Sequence, residues 1–201
     1  MNMRNLMSLV ENPDRLDELQ GIKQHQAQNL PTRNAVIAYM EKQGYDLLGV
    51  GEYGAVFDHE KFGGRYVLKL FSDPNYEYFV NFCKTQKNPS YPKFFGNIMK
   101  VSANARMVRV ERLYHLNGAQ MDDVMTIDKL VHDVMQDKRD EQEARESLVP
   151  VYAELFDAIY QLAMIAPQGA SMDIHGGNVM LRRGSTTLVV SDPYDGGEFK
   201  M

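Results

Sequence analysis

The period of the hydrophobic pattern changes along this chain, and nothing else in the sequence constrains its fold as tightly. From Tyr45 the run YDLLGVGEYGAVFDHEKFGGRYVLKLF places Leu48, Val56, Phe57, Tyr66, Val67, Leu68 and Leu70 near a period of two, the spacing of strands with one buried face. Gly63 and Gly64 separate two of these runs, as a hairpin turn requires. Further strands are expected over 96–101 and 107–113. After a polar turn at Asn117 and Gly118 the spacing becomes helical. Ile127, Leu130, Val131 and Val134 mark one helix, and Val151, Leu155, Phe156, Ile159 and Leu162 a longer one. Short strands return over 179–182 and 188–191, around a turn at Gly184. Strands segregated from helices in this way predict an α+β fold.

Residues 1–43 read as a helical extension. Leu16, Leu19 and Ile22 fit one helical piece, and Ala35, Val36, Tyr39 and Met40 a second, with Pro31 breaking them and Thr32 suited to cap the latter. Asp73 and Pro74 open another helix, carrying Tyr78, Phe79 and Phe82 and closed by Asn88, Pro89, Ser90 and Pro92. The segment 137–147, DKRDEQEARES, is almost wholly charged and reads as a solvated helix or loop.

Composition removes several classes of function. With 44% hydrophobic residues the chain can bury a full core, so disorder is excluded. The single cysteine, Cys83, rules out an internal disulfide and argues against a cysteine-based zinc site, which suggests a reducing compartment. A net charge of −5 without a Lys/Arg-rich run argues against nucleic acid as a partner. The start has too short an apolar run for a signal peptide, and no run of apolar residues is long enough to span a bilayer. A cytoplasmic protein with no membrane partner is expected.

Gly49-Val50-Gly51-Glu52-Tyr53-Gly54-Ala55-Val56 matches the pattern G-x-G-x-x-G-x-V. Such a loop suits a nucleotide, because the missing side chains let backbone amides approach phosphates while the valine covers the base. With 15 glycines in 201 residues, the glycines alone arise by chance with a probability of roughly 0.08, falling to about 0.005 with the valine. A dinucleotide-binding βα turn fits worse, since here a strand follows the glycines. Lys69 lies on the next strand, in Val67-Leu68-Lys69, where a cation could hold phosphates. Glu77, on the following helix, could orient that lysine, and an exposed helical glutamate is an equal reading.

Asp173-Ile174-His175-Gly176-Gly177-Asn178 is followed, fourteen residues after the asparagine, by Asp192 in Val189-Val190-Ser191-Asp192-Pro193-Tyr194. Phosphoryl transfer needs a carboxylate beside the acceptor hydroxyl and oxygen ligands that hold magnesium on a triphosphate. Asp173 suits the first task, Asn178 and Asp192 the second. Each alone is a common turn residue; in this order, after the glycine loop and Lys69, they form a constellation. His175 has no second ligand near it in sequence, so it is expected to hydrogen-bond within the loop and keep Asp173 in place.

In order, GVGEYGAVF, VLK, MDIHGGNVM and VVSDP resemble the protein-kinase-like superfamily. The loop form D-x-H-x-x-N is similar to that of aminoglycoside and choline kinases, and closer still to the early serine/threonine protein kinases of short-tailed bacteriophages of the teseptimavirus type. The resemblance spans about residues 44–197. It implies a minimal bilobal fold: an extension over 1–43, a small lobe over 44–116 and an abbreviated helical lobe over 117–201, with ATP between the lobes. It also implies Gly49, Gly51, Gly54, Val56, Lys69, Glu111 and Leu113 as nucleotide contacts, a linker at 114–117 facing the adenine, Asp173 and Lys69 as catalytic residues, and Asn178 and Asp192 as magnesium ligands. Phage relatives phosphorylate host proteins on Ser/Thr during infection, so host proteins in the bacterial cytoplasm are the implied partners.

Two departures qualify this expectation. Asp192 precedes Pro193-Tyr194 where ordinary protein kinases carry Phe-Gly, and only nine residues follow Asp192, which leaves no room for the usual peptide platform. The N-terminal helices and segment 137–147 are candidate replacements for it. Two other readings stand beside the kinase: a small-molecule phosphotransferase of the aminoglycoside type, and a kinase-fold protein that inhibits a host factor by contact.

Overall fold

The computed structural model describes residues 32–196. The first expected helical piece, with Leu16, Leu19 and Ile22, lies outside the described residues. Two compact units divide the rest: 32–72 with 97–109, and 73–96 with 110–196.

The first unit opens with α1 (Arg33–Lys42), capped as expected by Thr32, whose Oγ1 accepts from the Ala35 N–H at 3.3 Å. Strands β1 (Asp46–Val50), β2 (Gly54–Asp58) and β3 (Tyr66–Phe71) follow. A 3-10 turn (Glu60–Phe62) joins β2 to β3 and ends on Gly63 at φ 58°, a left-handed position that glycine accepts without a Cβ penalty. The mixed α and β content agrees with an α+β chain: β4 (Phe94–Lys100) and β5 (Arg106–Glu111) complete a five-stranded sheet in the order β1-β2-β3-β5-β4. Both continue from one unit into the other. Strand alternation sets the faces, but not as expected throughout: Leu48 is exposed, and Val56 lies on the opposite face from Phe57. Ala55, Phe57, Leu68, Leu70 and Met107 enter one core, which Val36 and Met40 of α1 share.

The second unit contains α2 (Pro74–Cys83), β6 (Leu113–Tyr114), α3 (Gly118–Met135), α4 (Glu141–Glu146), α5 (Pro150–Met164), β7 (Val179–Arg182) and β8 (Leu188–Val190). Asp73 caps α2 through Asn75 N–H at 2.8 Å, with Pro74 in the first turn, where its missing N–H is harmless. The buried positions of α2 are Tyr76, Phe79, Val80 and Cys83, and that phase turns Tyr78 outward. The expected strand over 107–113 is broken at Arg112: Leu113 leaves the large sheet and pairs with Arg182 in a separate sheet of order β6-β7-β8. Gly118 begins α3 instead of ending a turn, because Asn117 and Gln120 form a reciprocal capping box, at 3.0 Å each way. Within segment 137–147 Asp140 caps α4, whose only buried side chain is Ala144. Helix α5 packs on α3 and on β8 through Leu155, Phe156, Ile159 and Leu162. No helix among the described residues is long and apolar enough to cross a membrane.

Candidate active site

In the first unit the glycine run forms the β1–β2 turn, closed by Gly51 N–H donating to the Gly54 carbonyl at 2.9 Å. Register shifts between Leu47 and Gly49, after which Gly49 faces Val56 and Val50 faces Ala55. Across the next pair Val56 faces Lys69. Because Ala55, Phe57, Leu68 and Leu70 all enter the core, alternation puts Val56 and Lys69 together on the opposite face. The valine and lysine singled out in the sequence are therefore cross-strand neighbours on the face opposite that core, where β3 also carries the buried Val67 and Phe71.

The three glycines differ in what demands them. A Cβ at Gly54 would lie 2.9 Å from the Leu70 carbonyl oxygen and 3.8 Å from Lys69 Cε, so close approach of β2 to β3 excludes a side chain there. At Gly49 and Gly51 nothing lies within 4 Å of an added Cβ. Packing does not require glycine at those two positions, and the space above them is open, as an approaching ligand needs.

Two further residues hold this turn. Ser72 donates to the Tyr53 carbonyl through its N–H at 2.8 Å and its Oγ at 3.2 Å. Arg33 of α1 donates through Nη1 to the Glu52 carbonyl. Neither was visible in the sequence, since both contacts join residues nineteen positions apart.

In the second unit Asp173, Asn178 and the Asp192 segment form one hydrogen-bonded group. Residues 171–173 run antiparallel to 193–195, through the bridge of Met172 with Tyr194 and through Asp173 N–H to the Pro193 carbonyl at 2.8 Å. Asn178 Nδ2 donates to both the Asp173 carbonyl and Oδ2, each at 2.8 Å. Its own carbonyl accepts from Ser191 N–H at 2.7 Å, from Ser191 Oγ at 2.9 Å and from Asp192 N–H at 3.4 Å. Asn178 thus binds the candidate base with its side chain and the Asp192 segment with its backbone. With both Nδ2 protons directed at Asp173, the amide oxygen is what Asn178 can offer a cation.

His175 serves the loop, as its isolation in sequence suggested. Nδ1 accepts from Gly177 N–H at 3.0 Å, which places the ring proton on Nε2, 3.7 Å from Asp173 Oδ2. That separation is too long for a hydrogen bond, but it turns a positive ring edge toward the carboxylate. A Cβ on Gly177 would lie 2.8 Å from the same ring. The Asp173 side chain is 41% exposed, open to an incoming hydroxyl.

Tyr76, fully buried on α2, has its hydroxyl pushed well above the ordinary tyrosine range, first by burial and then by the charge of Asp192. The first turn of α2 is also tied to this segment by Asn75 Nδ2, which donates to the Asp195 carbonyl at 3.0 Å. Burial pushes the Cys83 thiol far up, so it is an inert core residue and not a nucleophile.

Glu111 and Leu113, expected at the nucleotide, sit where the second unit's small sheet begins. The Glu111 carboxylate is engaged by Arg182, with Nε to Oε2 at 2.9 Å and Nη2 to Oε1 at 2.7 Å, and Oε1 also accepts from Lys93 N–H at 2.9 Å. Its backbone N–H is engaged as well, donating to the Lys93 carbonyl at 2.9 Å. Glu77 and Lys69 belong to different units.

Among the described residues no three His, Cys, Asp or Glu side chains gather as a metal-holding group. Magnesium bound with a nucleotide needs only one or two protein oxygens, since phosphates and water complete its shell. The Asn178 amide and the Asp192 carboxylate are donors of that kind and number, and do not make a resident metal cage. Comparison with protein-family models gives no match, and comparison with curated proteins gives none.

Proposed function

We propose that this chain is a magnesium- and ATP-dependent phosphotransferase of the protein-kinase-like type, acting on serine or threonine hydroxyls of host proteins during phage infection. The observation that carries the reading is the bonding of Asp173 to Asn178 and of Asn178 to the Asp192 segment. It joins Asp173, Asn178 and the Asp192 segment in one hydrogen-bonded loop pair, in the sequence order of the kinase motifs. The first unit supports it with Val56 and Lys69 paired on one face beside an open glycine turn. The division into a small and a helical lobe, the phage origin and the protein substrates follow the motif resemblance.

In this reading Gly49 and Gly51 leave room for a triphosphate, and Lys69 neutralises charge on its α and β phosphates. Magnesium, when bound with the nucleotide, would withdraw charge from the phosphates as the bond to the leaving group breaks. Asn178 and Asp192 would hold that magnesium through their side-chain oxygens, and Asn178 Nδ2 fixes Oδ2 of Asp173. Oδ1 then receives the proton of the acceptor hydroxyl as its oxygen attacks the γ-phosphorus and ADP departs. Positioning and electrostatics supply most of the rate.

The test is incubation of the purified protein with magnesium and γ-labelled ATP in a bacterial lysate, beside Asp173→Ala and Asp192→Ala. Label on discrete proteins with the parent alone supports the reading. Equal labelling with Asp173→Ala refutes it. ATP binding without transfer to protein replaces it with a binding protein, and label on small molecules with a small-molecule kinase.

A further inference from the structure

We propose that Arg33 is a positioning residue for the glycine turn, so that α1 is part of the phosphate-binding apparatus; this rests on the nucleotide reading of that turn. Arg33 is the first residue of α1, where no acidic side chain stands and where a cation opposes the helix dipole. Its placement therefore does not serve the helix. Its guanidinium instead reaches the Glu52 carbonyl at the tip of the turn. The helix that carries it is seated firmly, with Val36 at 0% and Met40 at 4% exposure in the core beneath the sheet.

The consequence lies in the peptide planes. Carbonyl and following N–H point to opposite sides of a planar trans unit. Fixing the Glu52 carbonyl through Arg33 and the Tyr53 carbonyl through Ser72 therefore fixes the directions of the Tyr53 and Gly54 amides. The Gly51 N–H is fixed by the Gly54 carbonyl. A turn rich in glycine would otherwise sample several conformations and pay that entropy when a phosphate arrives. Arg33 removes one of the two anchors' worth of freedom in advance, by a charge-assisted bond from a different element.

Arg33→Gln removes the charge while keeping a good helix former, and Arg33→Lys retains a cation without the planar fork. Two measurements apply to the full chain: amide hydrogen exchange without ligand, and calorimetric binding of magnesium-ATP and of adenosine. Arg33→Gln should speed exchange at residues 51–54 severalfold while α1 keeps its protection. Its ATP affinity should fall about tenfold, with adenosine unaffected, and Arg33→Lys should lie between. Unchanged exchange at 51–54 overturns the proposal, as does loss of protection throughout α1, which would make Arg33 a fold residue, or an equal loss for adenosine and ATP. If the parent binds no ATP the phosphotransferase reading fails, and the exchange arm alone then decides whether Arg33 holds the turn.

Discussion

Replacing Glu111 by glutamine should destabilise the second unit by breaking its enclosed pair with Arg182. The pair it forms with Arg182 is enclosed, at 10% and 15% side-chain exposure, so solvent screening is weak. Arg182 also donates Nη1 to the Pro89 carbonyl at 2.7 Å and Nη2 to the Tyr91 carbonyl at 3.0 Å. One guanidinium thereby joins the 89–91 segment, the end of β5 and β7. Glutamine keeps the shape but turns one N–H₂ toward an N–H of the guanidinium and leaves a buried charge without its counter-ion. Breaking such a pair costs about 3–5 kcal/mol, and the two surviving carbonyl bonds argue for the lower end. Against a net stability of about 5–15 kcal/mol, that is a large share. Urea unfolding followed by circular dichroism should show it, and exchange at residues 179–182 should rise in parallel. A double-mutant cycle of Glu111→Leu with Arg182→Met should cost less than the sum of its arms by about 2 kcal/mol. Since the carboxylate is already engaged, nucleotide affinity of the folded variant should match the parent. A loss below about 1 kcal/mol, or one abolished by molar salt, would mean the pair behaves as a surface pair and would refute the argument.

Gly54→Ala should cost about 1–3 kcal/mol by urea unfolding, because its Cβ meets a strand carbonyl, whereas Gly49→Ala and Gly51→Ala should leave stability unchanged and weaken magnesium-ATP binding. Tyr76, Tyr91 and Tyr194 are all raised, first by burial. The native state therefore holds protons that the unfolded chain releases above about pH 10, and stability must fall as pH rises from there; in an alkaline titration these three should ionise only with unfolding, and a smooth titration of every tyrosine in the folded protein would contradict the burial. Asp128 is also raised, first by burial and against the pull of His132. A raised carboxyl favours the folded state when protonated and loses that advantage as pH rises through its folded value, so Asp128→Asn should stabilise at pH 7 and not at about pH 3, as paired denaturation curves would show.

What was legible in the sequence was what depends on neighbours along the chain. Alternation placed β1 to β3 but not all of their faces, since Leu48 is exposed and Val56 turns away from the core that Phe57 enters. Thr32 and Asp73 announced two helix starts, each fulfilled by a side-chain bond within three residues, whereas Asn117, read as a turn, caps a third. The Asp173 group was readable for the same reason, since Asn178 reaches it over five positions and Ser191 reaches Asn178 over thirteen. Arg182 was not, because its partners lie 71 and 93 positions away and each member of the pair reads as an ordinary surface charge. Tyr78 was placed on the wrong face because Tyr76, not Tyr78, belongs to the spacing 76, 79, 80, 83 that α2 buries.

The glycine motif marks a deeper limit. In the sequence its three glycines are equivalent, each a residue that lets a phosphate come near. In the structure Gly54 is required by the approach of β3 whether or not a nucleotide ever binds, while Gly49 and Gly51 face open space. Evidence for a ligand therefore resides in the two glycines that the fold does not need. The pinning of the intervening carbonyls by Arg33 and Ser72 adds to it, because a hairpin turn with no ligand to receive gains little from one anchor brought by a separate helix and another from the end of β3.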